Sequence, residues 1–236
     1  MRRYAIYAVP GAGNDDAAEA LALKATVDAW YARDDLQSLT VNTRRYGFHA
    51  TLAAPFHLAA AHTETELLTA AAAFAAEQAP VTIPGPRPAV MGSFRALLPS
   101  GEQNALTALN ALNALGASVV RKFDGFRAPL TEADVHRRRA AHLTARQREL
   151  VDRWGYPYVL DEFRFHLTLT DALPAERAAA IDAAAAQHFA PVAGIDVPLT
   201  GITISVEPEP GAAFEIISVH PFAPSLSAPR FALETA

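Results

Sequence analysis

Cysteine is absent from the 236 residues of this chain. The absence excludes disulfide frameworks, thiolate zinc sites, iron–sulfur clusters and a cysteine nucleophile. A strong charge of either sign is missing as well, because 20 Lys and Arg stand against 25 Asp and Glu, which gives a formal net charge of -5. No overall positive field therefore attracts nucleic acid, although this balance still allows a local basic pocket.

Long apolar runs are also scarce. The apolar stretch at the N-terminus is short and meets Pro10 and Gly11 at once, which does not match a secretory signal peptide. The longest uncharged run, residues 103–120, has about the length of a membrane span. Leucines form one stripe of this run and Asn or Thr recurs every third residue on the other, which predicts an amphipathic helix on a soluble core. We therefore expect a cytoplasmic protein with no membrane partner.

The predicted elements repeat in order along the chain. A strand, a helix and two further strands are predicted from Tyr46 onward, and the same order starts again at Glu162. Thr63 and Glu66 have the spacing of a helix capping box. The predicted helices cover residues 14–33, 63–78, 103–120, 131–154 and 174–189, and the predicted strands cover residues 3–9, 46–54, 81–93, 94–99, 162–170, 196–206 and 214–220.

Each copy carries the tetrapeptide His-x-Thr-Leu in its leading strand, and the two histidines, His49 and His166, lie 117 residues apart. Side chains of a strand alternate between its faces, so His49 shares a face with Thr51 and His166 shares one with Thr168. Their apolar neighbours point to the opposite side. A single His-x-Thr is more often structural, but the same pair at the same place in a repeat favours a function.

This separation of half the chain predicts two lobes that face each other across a cleft. Each lobe is expected to be an antiparallel sheet covered on its outer side by helices, so the fold class is α+β with a bilobal, pseudo-twofold duplication. We interpret residues 1–236 as a single bilobal domain, with a tail over residues 221–236 that is rich in proline and serine and has no predicted structure. Two imidazoles and two hydroxyls then meet in the cleft.

Such a group of side chains suits chemistry at a phosphodiester. The ordinary pKa of an imidazole is about 6.5, so near neutral pH one histidine can accept a proton while the other donates one. Threonine hydroxyls can donate hydrogen bonds to the non-bridging oxygens of the phosphate without adding charge. In-line attack on phosphorus needs a base on one side and an acid on the other. The twofold arrangement supplies both without a metal ion or another cofactor.

Three segments resemble a known family, namely Arg45–Leu52, Trp154–Tyr158 and Phe163–Thr170. They are similar to the two-histidine (2H) phosphoesterase superfamily, and most closely to its uncharacterised branch encoded in bacterial phosphonate-metabolism operons. The resemblance implies a bilobal α+β fold and a cyclic phosphodiesterase that hydrolyses a small cyclic phosphate or nucleotide-like phosphodiester. It also implies a role in phosphonate metabolism.

The resemblance carries acid and base roles onto His49 and His166, and phosphate binding onto Thr51 and Thr168. The family branch is expected to have a lysine just after the first motif, where this chain has Ala53. A positive contribution to phosphate binding must therefore come from elsewhere or be absent. The residues do not decide which histidine is the base.

Four further residues are candidates for substrate binding. Arg164 lies two positions before His166 and is expected to point into the same cleft, unless it forms a surface ion pair with Glu162 or Asp161. The other three, which can line the cleft or serve in packing, are Tyr46, Arg127 and Tyr156. A basic stripe over residues 136–148 is diluted by acidic residues and is typical of a solvated helix face. No residues have the spacing of a metal site.

Two other functions remain open on the sequence alone. The first is a non-catalytic protein that binds a nucleotide or a phosphorylated metabolite in the same cleft. The second is an RNA 2',5' ligase-like end-processing protein, which needs a basic track and binding that weakens steeply with salt. The acidic net charge favours a small phosphate ester over RNA as the partner, and the oligomeric state is not indicated.

Overall fold

A computed structural model of the chain describes residues 2–13, 15–100, 105–132, 134 and 143–223. Within these ranges, helices lie at Ala18–Tyr31 (α1), Val41–Tyr46 (α2), Glu64–Ala76 (α3), Ala105–Phe123 (α4), Ala145–Trp154 (α5) and Ala175–Phe189 (α6). Nine strands lie at Arg3–Ala8 (β1), Ala50–Phe56 (β2), Val81–Ile83 (β3), Arg87–Met91 (β4), Phe94–Leu98 (β5), Leu167–Thr168 (β6), Val197–Leu199 (β7), Gly201–Glu207 (β8) and Glu215–Pro221 (β9). Short 3-10 turns lie at Asp34–Leu39, Asp124–Phe126 and Leu160–Glu162.

The strands form two main antiparallel sheets. The first has the order β2-β1-β8-β9 and the second has the order β4-β5-β6, while β3 and β7 form a separate pair. Helix α3 packs on β8 and β9, and α6 packs on β4. This architecture confirms the predicted α+β, bilobal fold class. Among the described residues, no helix has both the length and the apolar character needed to cross a membrane.

The pseudo-twofold duplication is visible in the pairing of the strands, because each repeat contributes a hairpin to the sheet of the other repeat. The β4–β5 hairpin follows α3 in the first repeat, yet β5 pairs with β6 of the second repeat. The β8–β9 hairpin follows α6 in the second repeat, yet it completes the sheet of β2. At the centre, β3 and β7 pair symmetrically, with Thr82 opposite Pro198 and one pair on either side. The symmetry is broken by β1, which lies between β2 and β8, whereas β6 pairs directly with β5.

One hydrophobic cluster runs through both sheets. It includes Tyr7 and Leu52 from the first sheet and Leu97 and Leu167 from the second, all of them buried. Helix α1 contributes Trp30, whose indole Nε1 donates to the carbonyl of Leu169 at 3.0 Å, at the end of the second motif. The second histidine strand is therefore fixed by the same core that holds the first. The single domain over residues 1–236 remains a prediction, and residues 224–236 of its tail lie outside the described residues.

Several predicted boundaries are wrong for local reasons. The first motif strand begins at Ala50 and not at Tyr46, because Gly47 has a φ of 74° and turns the chain out of α2. The second motif has only the two-residue β6, since a 3-10 turn precedes it. The predicted helix over residues 131–154 is interrupted, because a capping box of Thr144 with Gln147 starts α5 anew. The predicted strand over residues 81–93 is two strands, separated by Pro84–Pro86, where both prolines lack an N–H for the sheet.

Other local predictions are confirmed. Thr63 and Glu66 form both hydrogen bonds of the capping box at the start of α3. The predicted helix end at residue 154 is also correct, because Gly155 follows α5 in the left-handed conformation, with a φ of 75°. Most of the basic stripe predicted on the long helix, at residues 136–142, lies outside the described residues.

Candidate functional site

A cleft of about 450 Å³ lies where the two sheets face each other. It brings together six of the eight candidate residues from the sequence, which are Tyr46, His49, Thr51, Tyr156, His166 and Thr168. The cleft is further lined by Arg3, Tyr7, Asn42, Thr43, Ala54, Pro55, Phe94, Thr170, Asp171 and Ala172. Residues from both histidine motifs and from α2 therefore meet in one open space.

His49 is held by the turn that precedes β2. Its Nδ1 lies 2.8 Å from the carbonyl oxygen of Gly47, and its Nε2 lies 3.2 Å from Oγ1 of Thr51. A carbonyl can only accept, so Nδ1 carries the proton and, in the neutral ring, Nε2 keeps its lone pair. The Thr51 hydroxyl then donates to Nε2. This tautomer leaves Nε2 as the nitrogen that can accept a proton.

His166 repeats this arrangement in the other lobe. Its Nδ1 lies 2.8 Å from the carbonyl oxygen of Arg164, which is again the residue two positions earlier. The same donor rule fixes its proton on Nδ1 in the neutral ring and leaves Nε2 for proton transfer. Thr168 follows in β6, and its carbonyl accepts a 2.6 Å hydrogen bond from the hydroxyl of Tyr31. Both motifs thus present an oriented imidazole followed by a threonine.

Aromatic rings support the two imidazoles unequally. Tyr7 stacks on His49 with ring centroids 3.8 Å apart and an interplanar angle of 25°. Phe94 lies 5.8 Å from His166, with the rings tilted by 49°. The Tyr7 hydroxyl is buried and has no hydrogen-bond partner among the described residues, and burial holds its pKa well above the usual range.

Both histidines are kept neutral by their surroundings. Burial, and to a smaller extent the charge of His166, lowers the pKa of His49 to about 4, against the opposing effect of the Gly47 carbonyl. Burial also lowers the pKa of His166, against the opposing effect of the Arg164 carbonyl. Without a bound anion, each ring is therefore a base and not an acid near neutral pH.

Asp171 ties the two motifs together. Its carboxylate accepts from the backbone N–H groups of Asn42 and Thr43 at 2.9 Å each, and from the Thr43 hydroxyl at 2.8 Å. A carboxylate at these N–H groups also suits the positive end of a helix. Since α2 leads into the first motif and Asp171 follows the second, this contact fixes one motif relative to the other.

Arg3 and Tyr7 are site residues that the sequence reasoning missed. Both lie on β1, where Tyr7 pairs with Thr51 of β2, so alternation places Arg3 and Tyr7 on the face that carries Thr51. The Arg3 guanidinium donates to the carboxylate of Glu207, which is fully buried on β8. Alternation along residues 3–9 was the available signal, but it does not reveal which strand lies beside β2.

Arg127 lines an adjoining cavity of about 320 Å³ and not the cleft itself. It donates to Asp124 at 2.9 Å, and its Nε has no partner among the described residues. The adjoining cavity shares four lining residues with the cleft, namely Arg3, Ala54, Pro55 and Tyr156. Ala53, where a lysine was expected, also lines the adjoining cavity.

Arg164 lies outside the cleft as well. Its side chain is exposed, and only its backbone carbonyl contacts His166. The alternative ion pairs are also absent from the described residues, because Asp161 binds Arg146 at 2.7 Å and Glu162 accepts from Gln147 at 3.0 Å. Within the described part of the chain, no three His, Asp or Glu side chains converge as metal ligands.

Two curated proteins are related to this chain in sequence. Both are named "Ribose 1,5-bisphosphate phosphokinase PhnN", from Janthinobacterium sp. (strain Marseille) and Laribacter hongkongensis (strain HLHK9). They are 44% identical over 183 residues and 38% identical over 176 residues. The matches cover 76% and 73% of this chain, but only 39% and 38% of the relatives. The chain thus spans about two fifths of their length.

Solved structures and a family model complete the comparison. The chain is similar to TT0787 of Thermus thermophilus, with a TM-score of 0.43, 14% identity, and coverage of 94% of this chain and 99% of that one. It is also similar to LigT of E. coli in complex with 3'-AMP, with a TM-score of 0.38, 13% identity, and coverage of 94% and 98%.

The family model described as "Protein of unknown function (DUF1045)" matches residues 51–215. The chain therefore belongs to the DUF1045 family.

Proposed function

We propose that this protein is a phosphodiesterase that hydrolyses a small cyclic phosphate or nucleotide-like phosphodiester by two-histidine acid and base catalysis. One observation carries the proposal: His49 and His166 line one cleft, and each has its Nδ1 on a backbone carbonyl at 2.8 Å. This geometry leaves two Nε2 atoms for proton transfer. Thr51 and Thr168 line the same cleft, and we propose that both donate to the phosphate oxygens, with the Thr51 hydroxyl turning from Nε2 of His49 to the bound substrate.

The reaction needs one neutral and one protonated imidazole. The neutral histidine accepts a proton from water as its oxygen forms a bond to phosphorus. The protonated histidine donates its proton to the ester oxygen as the bond from phosphorus to that oxygen breaks. A cyclic ester thereby opens to a phosphomonoester and a free hydroxyl. The threonine hydroxyls donate to the non-bridging oxygens, on which negative charge increases in the transition state.

The difference between the two imidazoles supports an assignment of their roles in hydrolysis. His49 has its pKa at about 4 and stays neutral, which suits the base. A bound phosphate anion favours the charged form of a nearby imidazole and raises its pKa. We therefore propose that substrate binding protonates His166 and that His166 is the acid. The two-histidine chemistry itself needs no metal ion.

The names of the relatives support a sugar phosphate as the substrate. Hydrolysis of a cyclic phosphodiester on a ribose produces a ribose phosphomonoester, which is the chemical class of ribose 1,5-bisphosphate. We place the reaction in phosphonate metabolism, as the resemblance of the motifs implies. RNA is less favoured as a substrate, because Arg127 and Arg164 do not extend a basic track into the cleft.

The direct test removes each histidine. His49→Ala and His166→Ala should each lower kcat by roughly 10²- to 10⁴-fold on 2',3'-cyclic nucleotides and ribose cyclic phosphates, as followed by phosphorus NMR. His62→Ala is the matched control, because His62 lies outside the cleft, beside Glu66. Retention of the wild-type rate by both variants on every cleaved ester would refute the proposal. Binding of these esters without any product would instead indicate a non-catalytic binding protein.

A further inference from the structure

We infer that Arg3 binds a second negatively charged group of the substrate, at a distance from the reacting phosphorus. The inference deepens the proposed function and rests on it for the position of the reacting group. It assigns the substrate to the cyclic phosphodiesters that carry a phosphomonoester elsewhere on the same sugar.

Arg3 is oriented by a buried carboxylate. It lies directly opposite Glu207 in the register of β1 and β8, and the two side chains form an ion pair. Glu207 is fully buried and also accepts from the N–H of Gly211 at 2.9 Å. The ion pair uses the Nε edge of the guanidinium and the side chain also interacts with Tyr46, which still leaves N–H donors for a ligand. A planar guanidinium fixed in this way is suited to a phosphate.

The charge around Arg3 remains positive. Arg45 also lies beside Glu207, with Nη1 at 3.7 Å from the carboxylate, so two cations share one anion. Arg3 is the only positively charged side chain that lines the cleft within the described part of the chain. The acidic residue of the cleft, Asp171, has its carboxylate occupied by Asn42 and Thr43. An anion in the cleft is therefore attracted toward Arg3.

The position of Arg3 separates it from the reacting centre. Tyr7 lies opposite Thr51, and Arg3 precedes Tyr7 by four residues on the same strand. At about 3.3 Å per residue, its backbone lies roughly 13 Å along β1 from the level of Thr51. Arg3 also lines the adjoining cavity, which neither histidine does. The Arg3 backbone is therefore far enough along β1 for its guanidinium to reach a group several bonds away from the phosphorus that reacts.

Matched substrates test this assignment. Adenosine 2',3'-cyclic phosphate is compared with the same ester bearing a 5'-phosphate. In the wild type the 5'-phosphate should lower KM by roughly 10- to 100-fold, as expected for charge-assisted hydrogen bonds. Arg3→Ala should lose this advantage, so that the variant has the same KM for the ester with the 5'-phosphate and for the ester without it. Arg2→Ala, an exposed arginine that pairs with Glu64 outside the cleft, should keep the advantage.

A second variant keeps the test valid if Arg3→Ala does not fold. Arg3→Ala leaves the Glu207 carboxylate buried with less neutralisation, so the double variant Arg3→Met with Glu207→Gln removes both charges. It should fold and show no preference for the 5'-phosphate. An undiminished preference in either variant, or no preference in the wild type, would overturn the inference.

Binding without turnover separates this inference from the proposed function. Calorimetry compares adenosine 3',5'-bisphosphate with adenosine 3'-phosphate, which have no cyclic ester to open. Tighter binding of the bisphosphate that depends on Arg3 would support the inference even if no ester is cleaved. Cleavage of cyclic esters with equal binding of both nucleotides would refute the inference and leave the phosphodiesterase standing.

Discussion

The two lobes hold their histidines by the same backbone contact but in different surroundings. His49 has Tyr7 stacked on its ring at 3.8 Å, whereas His166 has only the tilted ring of Phe94 at 5.8 Å. The cation of the cleft, Arg3, also belongs to the first lobe. Both Tyr7 and Arg3 lie on β1, the strand with no counterpart between β5 and β6. The additional strand β1 thus gives the two histidines of a nearly symmetric cleft different surroundings.

This comparison explains how a duplicated motif can divide an acid and a base between its copies. Identical environments give identical pKa values, and neither imidazole is then preferred as the base. Burial lowers the pKa of His49 to about 4 and keeps that ring neutral, and Tyr7 of β1 is one of the groups that cover it. Three predictions test how far the two lobes differ.

The largest effect is expected on kcat when the two motif threonines are changed. Thr51→Val and Thr168→Val keep the branched side chain and remove the hydroxyl, and each should lower kcat by roughly 10²-fold as a phosphate donor is lost. Thr51→Val should lower kcat further than Thr168→Val does, because the Thr51 hydroxyl also contacts Nε2 of His49 at 3.2 Å. Steady-state kinetics on a cyclic phosphate measures kcat for the two variants. Thr82→Val on β3 is the control, and equal small losses in all three variants would contradict this role.

An intermediate effect is expected in the pH dependence of stability. The folded protein holds His49 neutral down to about pH 4, while the unfolded chain protonates this residue below about pH 6.5. The unfolded state therefore binds more protons in this window, so the free energy of unfolding should fall as the pH is lowered through it. His49→Gln should flatten this dependence more than His166→Gln does. Urea denaturation between about pH 5 and about pH 7 measures the slopes.

Equal flattening in the two glutamine variants would show that the lobes bury their histidines alike. A free energy of unfolding that rises as the pH falls would contradict the lowered pKa values themselves.

The smallest effect is expected for the Tyr7 hydroxyl. Tyr7→Phe keeps the ring on His49 and removes a buried group without a hydrogen-bond partner among the described residues, so the free energy of unfolding should rise by about 1 kcal/mol. The rate on a cyclic phosphate should stay within about twofold, because the stacked ring remains. Tyr7→Leu removes the stacking and should lower the rate further. A large loss of rate in Tyr7→Phe would show instead that the hydroxyl contacts the substrate.

The centre of the cleft could be predicted from the sequence because its signal is repeated. His49, Thr51, His166 and Thr168 stand out as two copies of one pattern, and their convergence follows from the duplication. Arg3 and Tyr7 could not be predicted in the same way. Alternation shows that they share a face, but the pairing of β1 with both β2 and β8 joins residues about 50 and about 200 positions away.

Arg164 shows where the alternation rule stops applying. The rule places residues two positions apart on one face only inside a strand, and β6 begins at Leu167, after both Arg164 and His166. The chain before it leaves a 3-10 turn, so the Arg164 side chain is exposed while its carbonyl holds the imidazole. The rule also stops at Gly47 in the first lobe, because the positive φ of this glycine separates α2 from β2.

The exchange of hairpins has a consequence for synthesis on the ribosome. The strand β8, which pairs with β1, starts at Gly201, so the synthesis of the two strands is separated by about 200 residues. At about 5–20 residues per second, this delay is on the order of ten seconds, during which the growing polypeptide carries an open β1 edge. Such an edge is prone to pair with other chains. Completion of the last hairpin therefore closes an edge that could otherwise lead to aggregation.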